Sequence, residues 1–136
     1  MPSKKKIKVT AAIIWQEGKV LITKRPEGTH LGGLWEFPGG KKEEAETLEE
    51  CITREIEEEL GVQVEPEKLL LNVSHEYETK IVDLHIFKCA LLGGSPVPME
   101  GQEIKWVKPS DMPGYNFPPP DIKVIEFLSH QKTACK

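Results

Sequence analysis

The stretch GGKKEEAETLEECITREIEEELGV, residues 39–62, joins a glycine pair to a strongly charged segment with a helical period. Aliphatic residues recur at every fourth position, at Leu48, Ile52, Ile56 and Leu60. This spacing predicts an amphipathic helix over residues 47–60, because residues four apart lie on one helix face. Thr47 and Glu50 have the spacing of a capping box, and Gly61 suits the first position after a helix. We therefore expect a capped helix that buries one face in the core.

Three glutamates, Glu55, Glu58 and Glu59, share the side of this helix opposite the aliphatic stripe. Like charges three or four residues apart destabilise a helix by roughly 0.2–0.5 kcal/mol per pair. A hard divalent cation such as Mg²⁺ would offset this repulsion, because it takes oxygen ligands from carboxylates. The alternative is a solvated helix on which Arg54 pairs with Glu50 and Glu58. The neighbouring glycine pair favours a metal site, because it lets backbone carbonyls approach an ion closely.

The length and composition are those of a small globular domain. With 136 residues, 38% of them hydrophobic, the chain is expected to form one domain, with residues 1–5 and 131–136 disordered. No apolar run approaches the ~20 residues of a membrane span, so no membrane partner is expected. A formal net charge of −4 argues against a stable nucleic-acid partner. No secretory signal follows the basic tip, so we expect a cytoplasmic location.

The cysteines give no framework for the fold. Cys51, Cys89 and Cys135 are odd in number and lack CxxC spacing, which argues against both a disulfide scaffold and a zinc site. We expect reduced thiols, two of them packed in the core.

Strand patterns surround the charged helix. Runs rich in β-branched and aromatic residues predict strands at residues 7–15, 19–24, 34–37, 69–73, 81–92 and 103–107. Pro38 and the glycine pair are expected to end the third of these strands, and Pro66 is expected to break the chain. Residues 122–130 predict a second helix, with Asp121 as its N-cap. Strands interrupted by one helix and closed by another indicate an α+β fold, an α/β/α sandwich with a central mixed β-sheet.

The spacing of residues in the charged segment resembles the motif of the Nudix hydrolases. Every defined position of that motif is filled, by Gly40, Glu46, Arg54, Glu55, Ile56, Glu58, Glu59, Gly61 and Val62. The segment LWEFPGGK at residues 34–41 resembles the strand that precedes the motif in the MutT-type subgroup. The sequence FPP at residues 117–119 resembles its late segment. The resemblance implies the Nudix fold, with its characteristic loop-helix-loop, over most of the chain.

The resemblance also implies a pyrophosphohydrolase that depends on Mg²⁺, for which Mn²⁺ can substitute. It assigns metal binding to three carboxylates and one backbone carbonyl, those of Glu55, Glu58, Glu59 and Gly39. Arg54 would orient these carboxylates through its fork of donors. Glu100 lies where MutT-like enzymes carry a loop glutamate that contacts metal; the alternative is an ordinary turn glutamate. A base near the attacking water is also required, either in the motif or in a later loop.

Substrate contacts are expected on both sides of the carboxylates. Arg25 and Lys41 match basic positions of the MutT-type pattern and are candidate phosphate contacts, with surface salt bridges as the alternative. His30 and His75 are weaker candidates, and His85 lies in a strand pattern that favours a sheet-facing role.

An apolar slot would hold the nucleobase. Phe37, Phe117 and Leu34 are candidates for it, and plain core packing is the alternative for each. Asp121 stands where the MutT type that reads oxidised guanine has Asn. An ionised Asp only accepts hydrogen bonds, which suits the exocyclic amine of cytosine, or the N7 proton of 8-oxoguanine alone.

These features predict a MutT-like Nudix hydrolase, monomeric or homodimeric. It would convert a nucleoside triphosphate, such as 8-oxo-dGTP, to the monophosphate and pyrophosphate. A CTP or dCTP pyrophosphohydrolase is the first alternative, followed by hydrolysis of ADP-sugars or dinucleoside polyphosphates. A Nudix-fold module that binds a nucleotide without cutting it is the alternative from another class.

Overall fold

A computed structural model describes residues 4–26, 28 and 32–130 of the chain. Seven strands form one sheet. In chain order the elements are β1 Lys5–Gln16, β2 Lys19–Lys24, β3 Trp35–Glu36, β4 Gly39–Lys41, α1 Leu48–Leu60, β5 Val64–Glu76, β6 Lys80–Leu91, β7 Glu103–Val107 and α2 Pro119–Ser129. A short 3-10 helix, Pro109–Gly114, precedes α2. His30, a candidate substrate contact, lies outside the described residues, as do residues 1–3 and 131–136.

The sheet is mixed, as predicted. Its main path runs in the order β3-β2-β1-β6-β5, with β4 added to β1 and β7 added to β2. The strands β1 and β6 pair in parallel, whereas the other pairings are antiparallel. The central position of β1 therefore brings the segment that precedes α1 against the middle of the sheet.

Two hydrophobic cores lie on opposite faces of the sheet, because successive side chains of a strand point to opposite sides. In β1, Ile13 packs in the core that α2 covers, and Ile14 packs in the core that α1 covers. Both side chains are fully buried, and burial of each contributes about 1.5–3 kcal/mol. The predicted α/β/α sandwich is confirmed.

Helix α1 forms as its sequence predicts. The backbone N–H of Glu50 donates to Thr47 Oγ1 over 3.0 Å, and the Glu50 carboxylate accepts from the Thr47 N–H over 2.8 Å. This reciprocal pair is the expected capping box. Gly61 ends the helix with a φ of 68°, a left-handed conformation that a glycine adopts without strain.

The predicted end of the third strand is confirmed, because β3 ends at Glu36, before Pro38. The glycine pair then continues the sheet, since Gly39 and Gly40 form most of β4, whose backbone pairs with Thr10 and Ala11 of β1. A Cβ at Gly39 would overlap the Thr10 carbonyl, so glycine permits a pairing that a side chain would prevent. The predicted chain break at Pro66 is wrong. This residue lies in β5 at the edge of the sheet, where the register shifts and a missing N–H is tolerated.

The end of the chain also differs from the prediction. Helix α2 begins at Pro119, and Pro118 occupies its N-cap position without a side-chain hydrogen bond. Asp121 is therefore not the N-cap. It lies in the first turn, and its side chain is buried.

At the other terminus, Lys4 and Lys5 are ordered, although the predicted disordered tip includes them. Lys5 already belongs to β1, and Lys4 forms an ion pair of 2.7 Å with Glu76. Cys51 and Cys89 are buried free thiols, as expected, while Cys135 lies outside the described residues. No helix in the described part of the chain has the length and apolar character needed to cross a membrane.

The capping box gives a direct test of how α1 is held. Thr47→Ala removes the side chain that accepts the Glu50 N–H, so we expect the free energy of unfolding to fall by about 1 kcal/mol. Urea denaturation measures this change. Thr53→Ala, which changes a half-buried threonine inside the same helix, is the matched control and should leave stability nearly unchanged. Equal losses in both variants would contradict the assigned cap.

Candidate active site

Arg54 organises the carboxylates on the outer face of α1. Its Nε and Nη2 atoms donate to the two oxygens of Glu46 at 2.9 and 2.6 Å, a bidentate pair. Its Nη1 atom donates to Glu55 at 3.0 Å and to Glu58 at 3.1 Å. A further bond of 3.2 Å from Nη2 reaches the Lys41 carbonyl. One guanidinium therefore ties the loop before the helix to the helix itself.

The protonation states of Glu46 and Arg54 follow from the hydrogen bonds between them. Hydrogen bonds from Arg54 lower the pKa of Glu46 to about 2. The same bonds raise the pKa of Arg54 further above its usual value. Glu46 is consequently ionised at neutral pH, and it acts as the anchor of the arginine rather than as a free acid. The alternative pairing of Arg54 with Glu50 is not observed in the described chain, because the Glu50 carboxylate is engaged in the cap.

Glu59 lies beside other carboxyl groups and forms no ion pair within the described residues. Burial raises its pKa to about 9, and a hydrogen bond and charge from Glu55 add to the shift. Charges on Glu36 and Glu100 raise it further. The Gly39 N–H donates to Glu59 Oε1 over 3.4 Å. Without a cation, Glu59 therefore holds a proton at neutral pH because three other carboxyl groups surround it.

Gly40 lies directly against the Glu55 carboxylate. A Cβ at Gly40 would overlap the Glu55 carboxylate, so no other residue fits without displacing it. The Gly40 carbonyl accepts a bond of 3.3 Å from Thr10 Oγ1 and a longer one from the Cys51 thiol. β4 thus presents its backbone directly to the acidic face of α1.

A loop near the carboxyl end of α1 brings Glu100 toward the cluster. The Met99 N–H and the Gln102 Nε2 atom both donate to the Glu59 carbonyl, at 3.0 and 2.8 Å. The Glu100 N–H donates in turn to Gln102 Oε1 at 2.9 Å. These bonds satisfy a carbonyl of the last helical turn and hold the loop against it. Gln102 was not predicted from the sequence, which carries no sign that an amide two residues after Glu100 would reach the helix.

A further polar group consists of Arg25, which follows β2, Glu36 of β3 and Asp121 of α2. Arg25 Nε contacts Glu36 Oε1 at 3.0 Å. Asp121 is only 6% exposed, and burial followed by the charge of Glu36 raises its pKa well above the usual value, against a lowering effect of Arg25. Burial also raises the pKa of Glu36. Sequence reasoning missed Glu36, although an acid between the apolar residues of Trp35-Glu36-Phe37 was an available signal.

The remaining predicted contacts are distributed around this centre. Phe37 and Phe117 stack with ring centroids 5.5 Å apart, but both belong to the core beneath α2. Lys41 is exposed on the far side of Glu55. His85 is buried in β6 with its Nε2 atom 3.4 Å from Asp83. The structure therefore brings together the carboxylates and Arg54, while the two aromatic rings pack as the core alternative describes.

The carboxylate oxygens of this site are chemically suited to bind a divalent cation. Glu55, Glu59 and Glu100 supply hard oxygen donors, and burial together with the neighbouring carboxyl groups raises the pKa of Glu59. Within residues 4–26, 28 and 32–130, no group of three or more His, Cys, Asp and Glu side chains has a metal-binding arrangement. Instead, Glu55 and Glu58 contact Arg54, and a proton on Glu59 takes the place of positive charge.

Comparison with known proteins agrees with this arrangement. The profile of the NUDIX domain matches residues 9–127, and the chain belongs to this family of Nudix hydrolases. It is 37% identical over 129 residues to an 8-oxo-dGTP diphosphatase of Haemophilus influenzae, covering 94% of this chain and 95% of that protein. It is 34% identical over 122 residues to a CTP pyrophosphohydrolase of Escherichia coli, covering 90% of each.

Solved structures show the same fold. The solution structure of the E. coli ORF135 protein is 32% identical and superposes with a TM-score of 0.81, covering 98% of this chain and 99% of that one. The crystal structure of a MutT protein from Methanosarcina mazei is 26% identical, with a TM-score of 0.85 and the same coverage. The chain is thus a MutT-like Nudix hydrolase.

The raised pKa of Glu59 predicts a pH dependence of stability. Because the folded protein holds this proton up to about pH 9, whereas an unfolded chain releases it near 4.5, the stabilisation is complete below pH 4.5 and is lost as pH rises toward 9. Metal-free Glu59→Gln should therefore lose less thermal stability than the wild type between pH 5 and about 9. Melting temperatures across that range measure the difference.

Glu57→Gln is the matched control, because Glu57 is an exposed residue of the same helix. It should follow the wild type across the whole pH range. If Glu59→Gln and Glu57→Gln gave the same profile, Glu59 would not carry the shifted pKa.

Proposed function

We propose that this protein hydrolyses a nucleoside triphosphate to the nucleoside monophosphate and pyrophosphate with the help of Mg²⁺ or Mn²⁺. The observation that carries this proposal is the position of Glu59, which is half-buried beside Glu55, Glu36 and Glu100 and forms no ion pair within the described residues. Such a cluster suits a polyphosphate substrate, because both require divalent cations. The matching names of the relatives support the same reaction.

The residues that would hold the cations are Glu55, Glu58, Glu59 and Glu100, with the Gly39 carbonyl. When bound, divalent cations neutralise the phosphates, polarise a phosphoryl oxygen and lower the pKa of the attacking water. Arg54 positions two of the carboxylates, and its bidentate bond to Glu46 fixes its own direction. Glu59, in the motif, and Glu100, in the later loop, are the candidate general bases that would take a proton from the attacking water.

The surroundings of Asp121 affect which nucleobase the protein would select. An ionised carboxylate only accepts hydrogen bonds, so it could accept from the protonated N7 of 8-oxoguanine but could not donate to O6. Burial and the charge of Glu36 favour the protonated form, and a protonated carboxyl group both donates and accepts. It then offers the same two functions as Asn, which suit O6 and the protonated N7 of 8-oxoguanine. An oxidised guanine nucleotide is therefore our first candidate.

A cytidine nucleotide is the second candidate. Arg25 acts against the rise in the pKa of Asp121, and an ionised Asp121 would accept from the exocyclic amine of cytosine. The relative that is a CTP pyrophosphohydrolase supports this reading.

We further propose that the protein acts in the cytoplasm, as a monomer or homodimer without a stable nucleic-acid partner.

A substrate panel tests the enzyme against the binding-module alternative. With Mg²⁺, the wild type should release pyrophosphate from 8-oxo-dGTP or CTP, and Glu55→Gln and Glu59→Gln should each lower kcat by 10²-fold or more. Glu57→Gln, on the same helix, is the control and should keep its activity. Absence of cleavage of every triphosphate, together with tight nucleotide binding, would support a binding module instead.

A second panel tests the role of Asp121. Asp121→Asn keeps a donor and an acceptor at the buried position, so kcat/KM for 8-oxo-dGTP should change less than about threefold. The value for CTP should fall by about tenfold or more if an ionised Asp121 accepts from cytosine. Asp111→Asn, an exposed acid of the 3-10 helix, is the control. An unchanged ranking of all substrates would exclude Asp121 from base selection.

A further inference from the structure

A basic cleft opens beside the carboxylate cluster. It has a volume of about 760 Å³ and lies between the start of β1 and the loop that follows β4. Five lysines line it, and these are Lys5, Lys6, Lys8, Lys41 and Lys42. The backbone bond from the Lys42 N–H to the Lys8 carbonyl, 2.9 Å long, fixes the two walls together. The cleft is therefore a built feature of the sheet and not a chance grouping on a loose terminus.

The positive charge of this cleft is not neutralised by the acids nearby. In the described part of the chain, none of the five lysines forms an ion pair. Glu43 and Glu55 also line the cleft, but both face Arg54, at 4.0 and 3.0 Å. Asp83, the register partner of Lys8 on β6, contacts His85 instead. Glu44 remains as the single lining acid without such a partner among the described residues.

The cleft continues the candidate active site at one end. Asp121 interacts electrostatically with Glu36, and Glu36 interacts in the same way with Glu59. Glu59 is hydrogen-bonded to Glu55, and Glu55 lines the basic cleft. The polar groups thus form a continuous series. It begins at Asp121, the candidate contact of the nucleobase, passes through the carboxylates of the candidate active site and ends at the lysines of the cleft. A linear substrate with a nucleoside at one end and anionic groups at the other matches this order.

We propose that the basic cleft binds the terminal phosphate groups of the substrate, those beyond its β-phosphate. The proposal rests on the proposed function and adds to it a preference for the length of the phosphate chain. Lysines hold phosphate as point charges and adapt to several positions of the anion. The protein should therefore favour triphosphates over diphosphates, and a nucleoside tetraphosphate should bind at least as well as a triphosphate.

Direct binding tests the cleft without turnover. Inorganic tripolyphosphate is titrated calorimetrically into the full-length protein without divalent metal. The double variant Lys6→Gln/Lys8→Gln should weaken binding by about tenfold, because it removes two charges that line the cleft. The control is Lys19→Gln/Lys68→Gln, with the same loss of charge at exposed positions outside the cleft, and its affinity should stay within twofold of the wild type.

Kinetics supply the second measurement. With Mg²⁺, Lys6→Gln/Lys8→Gln should raise KM for a nucleoside triphosphate by about tenfold with little change in kcat, and should leave KM for the corresponding diphosphate nearly unchanged. Circular dichroism checks that both double variants are folded.

Three outcomes would overturn the cleft proposal. The first is equal binding of tripolyphosphate by both double variants, and the second is equal loss of affinity for di- and triphosphate. The third is tighter binding of a single-stranded oligonucleotide than of tripolyphosphate, with the same dependence on Lys6 and Lys8. A wild type that cleaves no triphosphate would instead refute the proposed function. The calorimetric result would still decide whether the cleft binds a phosphate chain.

Discussion

The bidentate pair between Arg54 and Glu46 is the interaction on which the site depends. It is formed across the loop that joins β4 to α1, so it fixes the distance between the sheet and the acidic face of the helix. Its strength comes from two parallel charge-assisted bonds, which define direction as well as distance. Because the same guanidinium also holds Glu55 and Glu58, the position of the outer carboxylates follows from one anchored side chain.

Glu59 shows the opposite electrostatic situation on the same helix. Arg54 lies beside its neighbours, yet Glu59 itself lies among acids and against the Gly39 backbone. The fold therefore holds the carboxylates that Arg54 contacts next to Glu59, which forms no ion pair within the described residues. The contacts of Arg54 hold the loop before α1 in place. Glu59 has no positively charged partner within the described residues, so a bound cation would stabilise its ionised form. This division of roles is typical of sites whose chemistry depends on a bound cation.

Much of this arrangement could be predicted from the sequence, because it is encoded locally. The four-residue period, the capping box and Gly61 define α1 almost to the residue. Pairings between distant segments could not be predicted in the same way. Gly39 and Gly40 look like a turn until β1 is available as a partner, and Pro66 looks like a break unless β5 is known to be an edge strand. The proximity of Glu36 to Glu59 depends on the same long-range pairing.

The irregular β5 has a consequence for the behaviour of the protein in concentrated solution. An exposed strand edge is a template onto which a strand of another molecule can add. Pro66 lacks the N–H that such an addition requires, and the two register shifts distort the rest of the edge near it. A second molecule therefore meets an interrupted row of donors and acceptors along this part of the sheet. The segment that looks like a break in the sequence is thus a poor template for the addition of a further strand.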